Sequence, residues 1–395
     1  MPCLDKKSVT DVEVAGKKVL VRVDFNVPLK ADKIKDDTRI LAAVPTIRYL
    51  LKHNTSLILI SHLGRPKGQR RPDLSLAPVA KRLAEILDIP VVFVDDCIGE
   101  KVNQAVSSLK SGEVLLLENL RFHPEEEKND PEFAKKLADL ADIYVNDAFG
   151  VAHRAHASTE GITHFLPSVA GFLIEKEMKA LCSVIDSPRR PYVAIIGGAK
   201  VSNKIMIIES LIKKVDKLLI GGGMGNTFLA AAGYNMQTSL IEPDKIDWAR
   251  EFLQTDIAKE RLVLPVDLVV AAFFSADAEH RVCPVDGVPD GWQALDIGPA
   301  TVDLFTTVVN SAGTIVWNGP LGAFEIKAYA EGTMAIARAV ADATAFSIIG
   351  GGDSVSAVHK AGVMDRISHI STGGGASLEL LGGEILPGIA ALPSK

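Results

Sequence analysis

Short runs of β-branched and aliphatic residues recur along the whole chain, separated by stretches whose apolar positions repeat at helical spacing. A first series of runs falls at 18–23 (KVLVRV), 56–61 (SLILIS), 91–94, 113–118 (EVLLLE) and 142–145 (DIYV). A second falls at 192–196 (YVAII), 217–220 (KLLI), 262–264, 314–317 (TIVW), 346–349 (FSII) and 367–371. Runs that are apolar throughout belong to strands buried on both faces, which implies parallel sheets covered by helices. The intervening pattern predicts helices over 38–52, 77–87, 131–139, 202–213, 224–232, 328–342 and 353–361. The fold class is therefore α/β, with two Rossmann-like, doubly wound parallel-sheet domains.

At 395 residues the chain exceeds the size at which one core keeps growing, so two domains are expected. The stretch 172–191 reads as their junction: GFLIEKEMKALCSVID is helical in pattern, and SPRRP after it breaks the helix. This gives a first domain at 1–171, a linker at 172–191, a second domain at 192–381 and a tail at 382–395. The tail is apolar without a period and is expected to dock on a surface. Composition is ordinary for a globular protein, 47% hydrophobic and 23% charged. The net charge of −6 offers no basic field for nucleic acid or an anionic membrane, so an anionic ligand needs locally placed cations. No apolar signal core or membrane-length run is present, and a cytoplasmic protein is expected. Cys3, Cys97, Cys182 and Cys283 are scattered and read as reduced thiols.

Ligands of open parallel sheets bind beyond the carboxyl ends of the strands. In the first half those ends deliver Asp24 and Asn26, then His62 and Arg65, then Arg121, and finally NDAFG leading to HRAH with Arg154. Arg39 opens the helix after the first loop. Any one arginine is ordinarily a surface ion pair. Several on one edge repel each other unless an anion joins them, and the guanidinium fork matches phosphate and carboxylate. A small phosphorylated acid is the expected occupant. The two histidines of HRAH would suit zinc only with further ligands, and no other Cys or His cluster supplies them.

The second half delivers glycines: GGAK at 197–200, GGG at 221–223, NGP at 318–320, GGGD at 350–353 and GGG at 373–375. One glycine turn is usually only a tight turn. Five on one edge, each leading into a helical stretch, suit a polyphosphate held by backbone N–H groups at helix N-termini. Lys200 and Lys204 share a helix face by their spacing. Asp353 suits Mg²⁺, which takes one or two carboxylates besides phosphates. Glu325 is a candidate for a ribose hydroxyl, with a plain surface acid as the competing reading. The sequence has no GxxxxGK[ST], no GxGxxG and no HRDxxxxN, which excludes P-loop, dinucleotide-fingerprint and protein-kinase readings. No general base stands out. An acceptor carboxylate, ionised at neutral pH, needs none, so acyl-phosphate chemistry fits.

RVDFNVPL at 22–29, SHLGRP at 61–66, ENLRF at 118–122, NDAFGVAHRAHAS at 146–158, GGAKVSNKI at 197–205, GGGMGNTF at 221–228, WNGPLGAFE at 317–325, GGGDS at 350–354 and STGGGASLE at 371–379 occur in order. Together they resemble the phosphoglycerate kinase family from about residue 5 to the C-terminus. The resemblance implies phosphoryl transfer between ATP and 3-phosphoglycerate, giving 1,3-bisphosphoglycerate and ADP. It also implies a hinge-bending monomer whose tail returns to the first domain. By resemblance, Asp24 and Asn26 meet the glycerate, with Leu63 and Gly64 beside it, and His62, Arg65, Arg121 and Arg154 hold its phosphate. Arg39, Lys200 and Gly374 are the implied catalytic groups. Lys204, Gly222, Leu295, Asn318, Pro320, Glu325, Gly351, Gly352, Asp353 and Ser354 are implied on the nucleotide, Asp353 holding Mg²⁺.

The sequence departs from that family at Ala271-Ala272-Phe273-Phe274, where Ala-Asp-Lys-Phe is common. Gly225 stands where alanine is frequent, and Ala294 where glycine often is. All are expected on the nucleotide side, so they bear on nucleotide affinity and base selectivity. Two other readings are another small-molecule carboxylate kinase and a non-catalytic nucleotide-binding regulator. The first would not share these motifs in this order. The second would be expected to lack Arg39, Lys200 or Asp353.

Overall fold

The computed structural model describes residues 5–30, 33–202 and 204–395. They form two compact units, one running up to Lys179 and taking in Ile385–Lys395, the other spanning Ala180–Glu384. The helix Phe172–Asp186 passes from the first into the second. Cys97 and Cys283 are free thiols, but Cys182 is disulfide-bonded, which corrects the expectation of four reduced cysteines. Local spacing rules cannot reveal a pairing between residues distant in sequence. Among the described residues no helix is long and apolar enough to cross a membrane.

The first unit is built on β1 (Lys18–Val23), β2 (Ser56–Ile60), β3 (Val91–Val94), β4 (Val114–Leu117), β5 (Ile143–Asp147) and β6 (Ser168–Ala170). They pair in parallel in the order β3-β4-β2-β1-β5-β6. The central strands are buried along their length, as their unbroken apolar runs require. One face packs Val19, Val21, Leu57 and Leu59 against Ile40, Ile47 and Leu83 of the covering helices; the other packs Leu20, Ile58 and Tyr144 against Phe133 and Leu137. From β1 the chain moves to one side for β2 and later to the other for β5. The crevice beyond the carboxyl ends therefore opens between β1 and β5.

The C-terminal segment belongs to this unit through specific bonds. Asn146 donates to Gly388 O at 3.0 Å, and Gly388 N to Ala152 O at 2.9 Å. The buried Lys6 ammonium donates to Ala390 O at 3.2 Å, and Lys6 bridges Ser394.

The second unit carries β7 (Tyr192–Ile196), β8 (Lys217–Ile220), β9 (Leu262–Val263), β10 (Asp267–Ala271), β11 (His280–Pro284), β12 (Gln293–Ile297), β13 (Thr314–Asn318), β14 (Phe346–Gly350) and β15 (His369–Ser371). Six of them make a parallel sheet in the order β9-β8-β7-β13-β14-β15, with its switch between β7 and β13. The other three form an antiparallel sheet, β11-β10-β12, that the sequence pattern did not predict. β11 reads HRVCP and is exposed except at Cys283, so it has no apolar run to announce it.

Candidate active site

Each strand of the first sheet ends in a polar loop, and these loops are fastened to one another. Ser61 accepts from Phe25 N at 2.9 Å, and Asn26 Oδ1 accepts from Gly64 N at 2.9 Å. Asn119 donates to Leu63 O at 2.7 Å, and Arg121 Nη1 donates to Gly64 O at 3.0 Å. Gly64 is favoured as glycine by its φ of +62°, and a Cβ there would press on the movable Leu74 side chain. Asn26 is thus tied to the Leu63–Gly64 turn, where Leu63 O, Gly64 N and Gly64 O are already paired.

The charged groups differ in how they are satisfied. Arg39 Nη1 forms an ion pair with Asp24 Oδ2, the carboxylate being almost fully buried and the guanidinium about one-third exposed. Arg121 lies 3.3 Å from Glu127 through Nε, which makes no hydrogen bond. Arg65 and Arg154 are exposed and have no ion-pair partner among the described residues. Two unpaired guanidiniums near two part-committed ones is the arrangement an anionic ligand would complete.

Beneath them lies a charge that sequence reasoning missed. Arg22 is fully buried. Its Nε donates to Ser158 Oγ at 2.9 Å, and Ser158 in turn donates to Glu126 Oε1 at 2.6 Å. Its Nη2 donates to His62 Nδ1 at 3.2 Å. Burial and the surrounding arginines, Arg22 first, hold His62 well below the usual imidazole range. Because Nδ1 accepts from Arg22, the ring is neutral and carries its proton on Nε2. His62 therefore offers a ligand a neutral N–H donor, not a charge. In HRAH, burial first and then the neighbouring arginines push His153 down to about 4 and His156 down to about 3. Both face cations, which also counts against a metal there. Arg22 gave no signal in the sequence because it sits inside a strand rather than beyond its end.

In the second unit the glycine loops pack on each other. Gly197 N donates to Asn318 O at 2.9 Å, Gly198 N to Pro320 O at 2.9 Å, and Gly222 N to Leu321 O at 3.0 Å. Lys204 Nζ donates to Gly197 O at 2.8 Å and to Asn318 Oδ1 at 2.9 Å, and Asn318 Nδ2 donates to Gly350 O at 2.8 Å. Ser354 Oγ accepts from Gly319 N at 2.6 Å. Lys204, Asn318 and Ser354, read from sequence as nucleotide ligands, here join loop to loop. Lys200 is exposed and lies off the wall of the cavity described next.

The glycines themselves divide into two kinds. A Cβ on Gly197 would lie 2.1 Å from Pro320 O, and one on Gly374 would lie 2.7 Å from Gly351 Cα. Those glycines permit backbone to touch backbone. Gly352, at the start of the helix Gly352–Lys360, has nothing within 4 Å of the same position. That open space lies at a helix N-terminus, where backbone N–H groups suit a phosphate. Gly352→Ala is accordingly expected to keep or slightly raise the thermal midpoint, while weakening ADP binding at least about tenfold if a phosphate sits against that backbone. Gly374→Ala is expected to destabilise the second unit by about 1–3 kcal/mol through overpacking. Calorimetry of unfolding and of ADP binding separates the two; equal stability losses would erase the distinction.

Alongside these loops lies a cavity of about 540 Å³. Gly222, Leu295, Pro320, Glu325 and Asp353, read from sequence as nucleotide-side residues, are among its lining. Its apolar wall also includes Leu240, Pro265, Phe274, Ala294 and Phe324, so two of the departures, Phe274 and Ala294, do face it. Such a volume, apolar inside with polar groups at its edge, suits a flat heteroaromatic ligand. Asp296 is a further wall residue that sequence reading missed. Burial pushes its carboxyl up to about 7, against the hydrogen bonds from Gly332 N and Ile297 N. Asp353 is exposed in the first helical turn, with an open position beside it, and fits a carboxylate that shares a hard cation with phosphates.

A fastened, arginine-rich turn set on one α/β unit and a glycine-edged nucleotide cavity on another define a phosphotransferase acting on a small anionic acceptor. The phosphoglycerate kinase family profile matches residues 9–384. The phosphoglycerate kinase of Moorella thermoacetica is 59% identical over 391 residues, covering 99% of this chain and 100% of that protein. That of Prosthecochloris aestuarii is 57% identical, covering 98% and 100%. Among solved structures, the Pyrococcus horikoshii phosphoglycerate kinase superposes with a TM-score of 0.88 at 35% identity, covering 98% of each chain. The Coxiella burnetii phosphoglycerate kinase does so with 0.85 at 42%, again over 98% of each. The chain belongs to the phosphoglycerate kinase family.

Proposed function

We propose that this chain transfers a phosphoryl group reversibly between ATP and the carboxylate of 3-phospho-D-glycerate, giving ADP and 1,3-bisphosphoglycerate. Family membership supports the reaction, and the observation that carries its placement is the unpaired state of Arg65 and Arg154. They take the substrate's phosphate together with Arg121 and the neutral N–H of His62. Asp24, which already holds Arg39, receives the glycerate hydroxyl with Asn26. The acceptor carboxylate is ionised at neutral pH, so no side chain need remove a proton. Transfer then rests on in-line positioning and charge neutralisation. Arg39 and Lys200 neutralise the transferring group, and the backbone at Gly374 and Gly351–Gly352 donates to phosphate oxygens. Asp353 would hold Mg²⁺ together with the nucleotide, and that ion would supply further charge neutralisation. The reacting atoms must come within about 3–3.5 Å, so both ligands favour a closed arrangement. One chain carries both proposed ligand sets, which supports an enzyme acting as a monomer.

The test is a coupled assay with 3-phosphoglycerate, ATP and Mg²⁺, run beside other small carboxylates. ADP formation that depends on 3-phosphoglycerate is expected. Turnover only with a different carboxylate would overturn the substrate.

Burial pushes the Lys204 ammonium down to about 8, against the pull of Asp353. Its charge is therefore present below that pH and lost above it. With its protons directed at Gly197 and Asn318, it acts on phosphates through its charge. ADP affinity titrated calorimetrically across about pH 7 to 9 is expected to fall as pH rises through the lysine's range. Lys204→Met should flatten that dependence; a slope unchanged in the variant would assign it to another group.

A further inference from the structure

Three donor side chains that the proposed reaction does not use meet on the first unit. Asp96 and Cys97 lie between β3 and the helix Glu100–Ser108, and His123 follows the turn Leu120–Phe122. Their carboxylate oxygen, thiol sulfur and imidazole nitrogen all fall within 4.8 Å of one another. His123 Nε2 is 2.8 Å from Asp96 Oδ1, and Cys97 N donates to the same oxygen at 2.7 Å. Cys97 is 1% exposed, whereas Asp96 and His123 are partly open to solvent.

A sulfur this deeply covered cannot meet an organic substrate, but a bare ion needs only the open side that Asp96 and His123 share. We propose that Asp96, Cys97 and His123 form a binding site for zinc or a similar borderline divalent metal, with water as the fourth ligand. Mixed sulfur, nitrogen and oxygen donors select such ions over magnesium or calcium. Neighbouring ligand atoms in a tetrahedral zinc centre are roughly 3.3–3.8 Å apart, so side-chain shifts of about 1 Å assemble it. Glu118 and Glu126 add negative potential at the sulfur, which favours a cation. On binding, the thiol proton leaves to solvent. The imidazole proton moves to Nδ1, so that the Nε2 lone pair faces the metal. The site clips the loop after β3 to the segment that carries Arg121.

Chelator-treated full-length protein titrated with Co²⁺ should show a thiolate-to-cobalt charge-transfer band and tetrahedral visible bands at one equivalent. Zn²⁺ should displace the cobalt with a dissociation constant on the order of 1 µM or tighter. Asp96→Ala, Cys97→Ala and His123→Ala should each weaken zinc at least about tenfold, and Cys283→Ser should not. Zinc should also raise the thermal midpoint of the unaltered protein but not of His123→Ala, a readout that stands even if Cys97→Ala folds poorly. A missing charge-transfer band, one that persists in Cys97→Ala, or zinc affinity unchanged by Asp96→Ala and His123→Ala would each overturn the site.

Discussion

Arg39→Ala is expected to lower kcat by about 10³–10⁵ with a much smaller change in KM, the magnitude typical of arginine stabilisation in phosphoryl transfer. The physical case begins with an awkward position. Arg39 is the second residue of the helix Thr38–Lys52, where a cation opposes the helix dipole. Asp24 offsets that cost in the ligand-free protein, yet the guanidinium remains about one-third exposed and able to face a ligand. In the proposed reaction its charge would matter most while the phosphoryl group is between two oxygens. Arg39→Lys should keep the fold and the pairing with Asp24 but not the rate, because an ammonium lacks the planar fork. Steady-state kinetics with both substrates varied decides it. An unchanged kcat beside a raised KM would move Arg39 to ground-state binding.

The second large effect is expected from Arg22→Met. The substitution leaves Glu126 buried without its cation and should destabilise the first unit by about 3–5 kcal/mol. Glu126 is itself raised above the ordinary carboxylate range by burial, with Arg22 the strongest force holding it down. Removing both charges in Arg22→Met/Glu126→Gln should restore most of the loss, since neither group is then an uncompensated ion. Denaturant unfolding of the first unit, followed for both singles and the double, gives the coupling. A double variant as unstable as the sum of the singles would show that the two do not compensate each other. His62 supplies an independent readout. Without the donor from Arg22, its imidazole should titrate at higher pH by NMR.

What was legible in the sequence follows from what each signal encodes. The strands of both parallel sheets are apolar on both faces, so their runs stand out, and β1, β3, β7 and β8 fall where the pattern put them. The antiparallel β11 is mostly exposed and polar, and the segment joining it to its one partner, β10, has no glycine or proline to announce a hairpin. Helix 202–213 shortens to Ile205–Leu211 among the described residues, since the loop before it is drawn into the glycine packing. Site residues past strand ends were readable because the fold class dictates where to look. Glycine identity was readable but its purpose was not. Gly374 and Gly352 look alike in sequence, and only the distance to neighbouring backbone separates a packing requirement from an open one. Arg22 and the Asp96, Cys97 and His123 group needed the fold, because they unite segments far apart in the chain.

The return of Ile385–Lys395 to the first unit has a consequence for biosynthesis. A nascent chain makes most of that unit early, then spends on the order of tens of seconds on the contiguous second one before the closing segment is translated. During that interval Asn146 and Lys6 lack the carbonyls of Gly388 and Ala390. The half begun first is thus the half finished last. Loss of Ile385–Lys395 would therefore injure the arginine-bearing unit and spare the contiguous one.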